Sequence, residues 1–182
     1  WAVFFLVPVG RGRTLEPISP QRADSVLDWL HEVRVEAEFD LKTTEAPMLQ
    51  RVGLQREGVD ASEIDPTGGR PATRPSALAG RGFAFASHVG DVYPSGFLPE
   101  SVGNVREEEL VDLYRNTELF EELRDPEQLK GKCGACPFRR VCGGSRSRAY
   151  AHTGDPLASD PLCAYEPSGW GGETGRPDVT GD

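Results

Sequence analysis

The stretch Cys133-Gly-Ala-Cys136-Pro-Phe-Arg-Arg-Val-Cys142-Gly-Gly, together with the more distant Cys163, holds all four cysteines of the 182-residue chain. Their spacing, C-x2-C-x5-C-x20-C, indicates a metal site, because cysteines placed at random would rarely leave three within ten residues. A 4Fe–4S cluster needs four thiolates, one for each iron, and one short loop cannot wrap the whole cube. We therefore interpret Cys133, Cys136, Cys142 and Cys163 as ligands of one 4Fe–4S cluster.

The cysteine pattern leaves two other interpretations open. Structural zinc also takes four cysteines, although zinc ribbons usually carry two C-x2-C turns and this chain has one. Disulfides are typical of secreted chains, and nothing in the sequence indicates secretion. The spacing alone therefore favours iron–sulfur over zinc, and zinc over disulfides.

The residues around the cysteines favour an anionic group. From Lys130 to Arg148 there are six basic residues and no acidic one, although the whole chain has a net charge of −9. Nearby cations would stabilise a four-thiolate cluster, but a solvated basic helix would explain the same charges. Gly143 and Gly144 follow Cys142 directly, and glycine permits positive φ and a close backbone approach. Such a backbone can point N–H groups at sulfur.

Composition limits the classes of function. Acidic residues number 29 against 20 basic ones, which argues against nucleic acid as the main partner. Trp1–Val9 is apolar but too short to span a membrane. It also lacks the basic region that precedes the apolar part of a signal peptide. We therefore expect a cytoplasmic protein without a membrane or nucleic-acid partner. The chain starts with Trp1 and its one methionine is Met48, so we expect a part of a longer protein.

The N-terminal part predicts a strand, a helix and a second strand. Trp1–Val9 is typical of a fully buried strand. Ser19-Pro20 predicts the start of a helix with an apolar stripe to about Ala37, and Phe39–Pro47 predicts the second strand and its exit loop. Two strands joined in this way lie parallel.

Polar residues follow both predicted strands. Ligands of parallel α/β sheets bind at the carboxyl ends of the strands. Arg11, Arg13, Lys42 and Glu45 would lie at or near that edge, and we predict that they bind a cofactor or substrate. Simple solvation of surface loops is the alternative for about half of these polar positions.

The rest of the chain predicts short elements. The apolar periodicity that indicates strands and helices disappears at 53–80, and we interpret this segment as a flexible linker or insertion. Gly82–His88 and Val92–Pro94 flank a Gly-Asp turn and predict a β-hairpin. Helices are predicted at 107–116 and about 119–124 and a helical turn at 145–151, and the residues 167–182 predict a disordered acidic tail.

The hairpin, helix and cysteine loop together resemble the C-terminal SPASM/Twitch region of radical S-adenosyl-L-methionine (radical SAM) enzymes. The resemblance covers roughly 80–166 and is carried by Gly90-Asp-Val-Tyr-Pro94, Val102-Gly-Asn-Val105, and the four cysteines. Residues from Phe4 through Pro47 resemble the final strands of the partial barrel of the same family. The nearest branch is similar to heme-biosynthesis radical SAM proteins.

The resemblance implies an α/β fragment, the final βαβ of a partial TIM-like barrel (1–52), followed after the linker by a small α+β SPASM/Twitch iron–sulfur domain with a β-hairpin and short helices (81–166). It implies that one auxiliary 4Fe–4S cluster relays electrons during radical modification of a small-molecule or peptide substrate, such as a tetrapyrrole heme precursor. S-adenosyl-L-methionine and a second 4Fe–4S cluster would bind only in the full-length parent, which includes the missing N-terminal barrel.

The departures from the family pattern are informative. Full SPASM domains bind two clusters, and this chain has Ser95 and Arg146 where the other cluster would need cysteines. The C-x3-C-x2-C motif of the cluster that cleaves S-adenosyl-L-methionine is also absent. The resemblance therefore implies one retained auxiliary cluster in a chain that is not active alone.

Overall fold

The structure is a computed structural model, and it describes residues 1–59, 78–168 and 170–172. The predicted linker at 53–80 lies mostly outside the described residues, and so does most of the predicted tail at 167–182. The first described range forms a β–α–β–α unit, and the second contains a small sheet, short helices and the cysteine region.

The N-terminal unit confirms the predicted strand–helix–strand order. Strand β1 (Ala2–Phe4) pairs in parallel with β2 (Lys42–Thr44), and helix α1 (Pro20–Glu36) connects them. The Ser19 side chain accepts a hydrogen bond from the Arg22 N–H at 3.2 Å, and Pro20 occupies the first helical position. A side-chain cap followed by proline satisfies the free N–H groups of the first turn, which is why the helix begins here.

The first strand differs from the prediction of a fully buried strand over Trp1–Val9. Only three residues pair, a 3-10 helix follows at Gly10–Thr14, and the Phe4 side chain is 59% exposed. Phe5 and Val7 are buried in the core. Because successive strand side chains point to opposite faces, one covered face buries only every second residue.

Helix α2 (Met48–Arg56) was not predicted, and it positions the functional site. It packs against α1 and buries apolar residues that include Met48, Leu49 and Val52. These residues join one hydrophobic core with Phe138, Val141, Cys142 and Leu162 of the cysteine region. The N-terminal unit and the cysteine region are therefore packed together.

The second sheet confirms the predicted hairpin. Strands β3 (Phe85–Ala86), β4 (Asp91–Tyr93) and β5 (Gly103–Asn104) are antiparallel, in that order. Gly90 lies in the turn with φ of +98°, and a Cβ there would come 2.5 Å from the Asn104 Oδ1 atom. The position therefore requires glycine.

Four short helices follow the sheet. They are α3 (Leu110–Asn116), α4 (Glu118–Arg124), α5 (Gly131–Ala135) and α6 (Arg146–Thr153). Helix α3 begins later than the predicted helix at 107–116. The result is a small mixed fold of a few short strands and several helices. No helix within the described ranges is both long enough and apolar enough to cross a membrane.

Candidate metal centre

The four cysteines line one cavity. Cys133 lies in α5, Cys136 caps its C-terminal end, Cys142 ends the following turn, and Cys163 comes from a later turn. All four thiols are free, and the side chains are buried or half-buried. The structure thus brings together every metal ligand that the spacing predicts.

Backbone N–H groups favour the thiolate forms of the cysteines. The N–H groups of Phe138, Gly144 and Tyr165 act in this way on the pKa of Cys136, Cys142 and Cys163, the cysteines two positions before them. The Asp160 N–H donates to the Cys133 Sγ atom at 3.4 Å, and the Arg146 Nη2 atom lies 3.5 Å from the same sulfur. Hydrogen bonds of this kind stabilise thiolates in metal centres and tune the potential of iron–sulfur clusters.

Three of the four cysteines, Cys136, Cys142 and Cys163, are neutral thiols unless a cation binds them. Burial raises the pKa of Cys163 to about 11, although the Arg51 guanidinium opposes this shift. Burial also raises the pKa of Cys136, and it raises the pKa of Cys142 well above the ordinary value. A metal centre replaces these protons, because only thiolates ligate metals.

The chemistry of the cavity fits an anionic group. Arg51, Lys132 and Arg139 line it together with the cysteines. The Nε atoms of Arg51 and Arg139 are buried without a hydrogen-bond partner among the described residues. Buried donors normally have a partner, so their presence beside four thiols indicates an acceptor that the protein atoms do not provide.

Four cysteines can hold a 4Fe–4S cluster or one tetrahedral zinc. A tetrahedral zinc with Zn–S bonds of about 2.3 Å holds its sulfurs roughly 3.8 Å apart. Within the described part of the chain, no group of three or more His, Cys, Asp or Glu side chains is placed to hold one metal ion. All four cysteines nevertheless line one shared cavity.

Gly144 lets the backbone approach the ligands closely. Its φ is +69°, and a Cβ at this position would lie 2.7 Å from the Asp160 Cβ atom and 3.2 Å from the Cys133 Sγ atom. A side chain would have to displace one of these neighbours. The predicted role of the glycine pair after Cys142 therefore has a structural basis at Gly144.

The buried Asp160 carboxylate connects the backbone at Ser145, before α6, to the backbone at Leu162, before Cys163. Asp160 is fully buried and accepts hydrogen bonds from Arg148 at 2.9 and 3.0 Å, from the Ser145 N–H at 2.7 Å and from the Leu162 N–H at 3.0 Å. Burial alone would raise the pKa of Asp160, but the Arg148 charge and these donors outweigh it and lower the pKa. Asp160 stays ionised and fixes the backbone that contacts Cys133.

Arg148 also connects this network to the N-terminal unit. Its guanidinium donates to the backbone oxygens of Leu6 at 3.1 Å and Glu45 at 2.7 Å. Sequence reasoning did not identify Asp160 or Arg51, because no motif marks either residue. The one available signal for Arg148 was the run of basic residues around the cysteines.

The other predicted site residues are divided between two places. Lys42 and Glu45 line a second cavity of about 590 Å³ between β2 and the hairpin, and Ser95 and Arg146 line the same cavity. Arg11 and Arg13 lie on the exposed 3-10 helix and are not part of this lining. That all four bind a ligand stays a prediction.

The Glu45 side chain is already engaged. It accepts hydrogen bonds from the Ser145 hydroxyl and, at 3.2 Å, from the Ser147 hydroxyl. Its backbone φ is +57°, which is unusual for a residue with a side chain. Glu45 therefore connects the end of β2 to the start of α6.

Comparison with known proteins identifies relatives. The chain is 45% identical over 166 residues to the AdoMet-dependent heme synthase of Methanosarcina barkeri, a match that covers 91% of this chain and 48% of that protein. It is 43% identical over 89 residues to the pre-heme d1 synthase of Dinoroseobacter shibae, covering 47% of this chain and 22% of that protein.

A shorter match extends to peptide-modifying relatives. The chain is 38% identical over 65 residues to the PqqA peptide cyclase of Methylocella silvestris, covering 35% of this chain and 17% of that protein. No family model matches the chain. The chain spans about half the length of the heme synthases it matches. These similarities show that the chain belongs to the heme-biosynthesis-like branch of the radical SAM proteins.

Proposed function

We propose that this chain binds one auxiliary 4Fe–4S cluster through Cys133, Cys136, Cys142 and Cys163 and is the C-terminal part of a radical SAM enzyme. The observation that carries the proposal is the single cavity lined by all four cysteines, in which the Asp160 N–H donates to the Cys133 Sγ atom. In this proposal 1–52 is the last piece of the partial barrel and 81–166 is the SPASM/Twitch-like domain. A cytoplasmic location, which suits reduced thiols, is part of the same proposal.

The cluster would supply a one-electron redox centre. Four cysteine ligands occupy one position on each iron, so no iron is left open to bind a substrate. We therefore favour electron relay over direct ligation of the substrate. The chain's own part is to exclude water, to hold the sulfurs in place through backbone donors, and to surround them with cations.

We propose a tetrapyrrole carboxylate as the substrate of the parent enzyme. The names of the heme and pre-heme d1 synthases support this class. The 590 Å³ cavity supports it too, because Lys42 and the aromatic rings of Phe83, Phe85 and Phe97 line it. A cation can pair with a carboxylate, and aromatic rings can pack on a flat macrocycle. A peptide substrate, as for the PqqA peptide cyclase, is the alternative.

Metal analysis tests the cluster. The full chain is purified without oxygen and assayed for iron, acid-labile sulfide and zinc, together with an absorbance spectrum. We expect about four irons and four sulfides per chain and a broad band near roughly 400 nm. Cys163→Ser should lose most of the iron, whereas Ser159→Ala, a nearby substitution outside the four ligands, should retain it. A colourless protein with one zinc per chain would contradict the proposal.

Substrate class requires the longer protein that includes the barrel. Decay of S-adenosyl-L-methionine and conversion of an iron-free or iron-loaded tetrapyrrole carboxylate are measured in parallel with a peptide substrate. Lys42→Ala should raise the KM for a tetrapyrrole carboxylate. Equal turnover of the tetrapyrrole by the Lys42→Ala variant and the unmodified enzyme would show that Lys42 does not bind the substrate.

A further inference from the structure

Arg51 is a buried cation beside the cysteines that comes from outside the cysteine region. It lies on α2, its side chain is 3% exposed, and it lines the cavity together with all four cysteines. Its position depends on the packing of α2 against the cysteine region in a single core. We propose that Arg51 is a positioning residue that donates to the cluster through Nε and raises the reduction potential of the cluster.

The other atoms of the guanidinium are already held. Nη2 donates to the Asp24 carboxylate of α1 at 2.5 Å, and Nη1 donates to the Gln55 side chain at 2.5 Å. The Tyr165 ring lies against the guanidinium, with 5.1 Å between its centroid and the central carbon. These three contacts fix the orientation of the side chain. Nε alone lacks a partner among the described residues.

An unpaired Nε–H in this place indicates a missing acceptor. Buried donors are almost always satisfied, and exceptions in native proteins usually mark an ion, a ligand or a functional role. The cavity that Arg51 lines is formed by four thiols, so the acceptor would be a sulfur of the bound group. This inference rests on the proposed function, because the acceptor is the cluster.

A buried positive charge acts on the redox equilibrium. Reduction adds one negative charge to the cluster, and a nearby cation in a medium of low dielectric constant favours the reduced form. The Asp24 carboxylate opposes this effect only in part, since it is 33% exposed and solvent screens its charge. Asp24 is also absent from the described lining of the cavity.

Arg139 provides an internal comparison. It lines the same cavity and its Nε also lacks a partner in the described residues, but its side chain is 27% exposed. Its Nη2 pairs with the exposed Glu127 at 2.9 Å. Solvent should therefore screen Arg139 more than Arg51, and its effect on the potential should be smaller.

The test is a redox titration of the cluster-loaded full chain, monitored by electron paramagnetic resonance. Arg51→Gln removes the charge, and it should shift the ratio of oxidised to reduced cluster at a fixed potential by about tenfold toward the oxidised form. Tenfold corresponds to about 59 mV for a one-electron couple, so the midpoint becomes more negative. Arg139→Gln should shift the midpoint in the same direction by less.

Asp24→Asn separates the charge effect from loss of structure. Both Arg51→Gln and Asp24→Asn break the same ion pair, so a merely structural role would move the midpoint in the same direction in both variants. A charge effect shifts the midpoint with opposite signs in the two variants, because Asp24→Asn removes a negative charge and should make the midpoint less negative.

The outcomes distinguish this inference from the proposed function. Unmodified chain without iron and sulfide contradicts the proposed function. Two results with a cluster-loaded chain would overturn only the role of Arg51. One is an Arg51→Gln variant with an unchanged midpoint potential, and the other is an Arg139→Gln variant with an equally large shift. If Arg51→Gln fails to retain iron, the sign of the Asp24→Asn shift decides: a rise supports the proposal, and a fall or no change overturns it.

Discussion

Substitution of Gly144 by alanine should disrupt the cysteine site more than its backbone strain alone explains. Gly144 has φ of +69°, and the added Cβ would lie 2.7 Å from the Asp160 Cβ atom. Asp160 cannot move away easily, since it is fully buried and its carboxylate accepts four hydrogen bonds. The same Cβ would lie 3.2 Å from the Cys133 Sγ atom, so the strain reaches a proposed ligand.

The expected cost has two parts. A non-glycine residue in the left-handed region costs about 1–2 kcal/mol, and forcing a methyl group into a packed interior costs about 1–3 kcal/mol more. Gly144→Ala should therefore destabilise the chain by about 2–5 kcal/mol. Gly154 provides a matched control, because its φ is +76° but a Cβ there meets no neighbouring heavy atom within 4 Å among the described residues. Gly154→Ala should cost the strain alone.

Thermal unfolding, followed by circular dichroism at equal initial iron loading, measures the difference. For a chain of this size, 1 kcal/mol shifts the Tm by about 2–4 °C. We expect a fall of about 4–20 °C for Gly144→Ala and about 2–8 °C for Gly154→Ala. Iron retained per chain should fall in the first variant and not in the second. Equal Tm values and equal iron contents in the two variants would refute the close approach that we describe at Gly144.

Substitutions at three further residues, Arg148, Glu45 and His31, test buried charge and backbone strain outside the four cysteines. Arg148→Met leaves the buried Asp160 carboxylate without its guanidinium, and urea denaturation should show a loss of about 3–5 kcal/mol; a loss below about 1 kcal/mol would contradict this. The free energy of unfolding in urea should be about 1 kcal/mol higher for Glu45→Gly than for Glu45→Ala, because the residue has φ of +57°. The reverse order would contradict backbone strain at this position. Burial lowers the pKa of His31, so the unfolded chain binds the proton more tightly and stability should fall as pH drops through about 6.5; in His31→Asn this pH dependence of the urea midpoint should weaken.

The sequence predicted the elements whose causes are local. The cap and proline at Ser19-Pro20 start α1 because they satisfy N–H groups within the same turn. The hairpin follows from a Gly90 turn between two short strands. The predicted burial of Trp1–Val9 was wrong, because an apolar run does not reveal how many faces of a strand are covered. Phe4 lies on the uncovered face.

The candidate site also contains residues that a local pattern predicts and residues that only tertiary packing brings there. Four cysteines with a short spacing predict one metal centre, and the structure brings them to one cavity. Arg51 could not be predicted, because it reaches the cavity only through the packing of α2 in the shared core. The basic run was open to two interpretations. A solvated helix is wrong for Arg146 and Arg148, which are buried and contact Cys133 and Asp160 respectively.

Ser95 and Arg146, which stand where the two-cluster pattern has cysteines, line the 590 Å³ cavity instead. Ser95 is buried, and its Oγ accepts a hydrogen bond from the Phe97 N–H at 3.2 Å. Arg146 is buried, and its Nη1 atom donates to the backbone oxygens of Pro156 at 2.9 Å and Ala158 at 2.8 Å. A guanidinium stays charged at every accessible pH and ligates no iron. Arg146 therefore cannot act as a cluster ligand at this position, and its charge lies between the 590 Å³ cavity and the Cys133 sulfur. We infer that Arg146→Cys alone would not create a second cluster, because Ser95 still supplies no thiolate and the carbonyls that Arg146 satisfies would lose their donor.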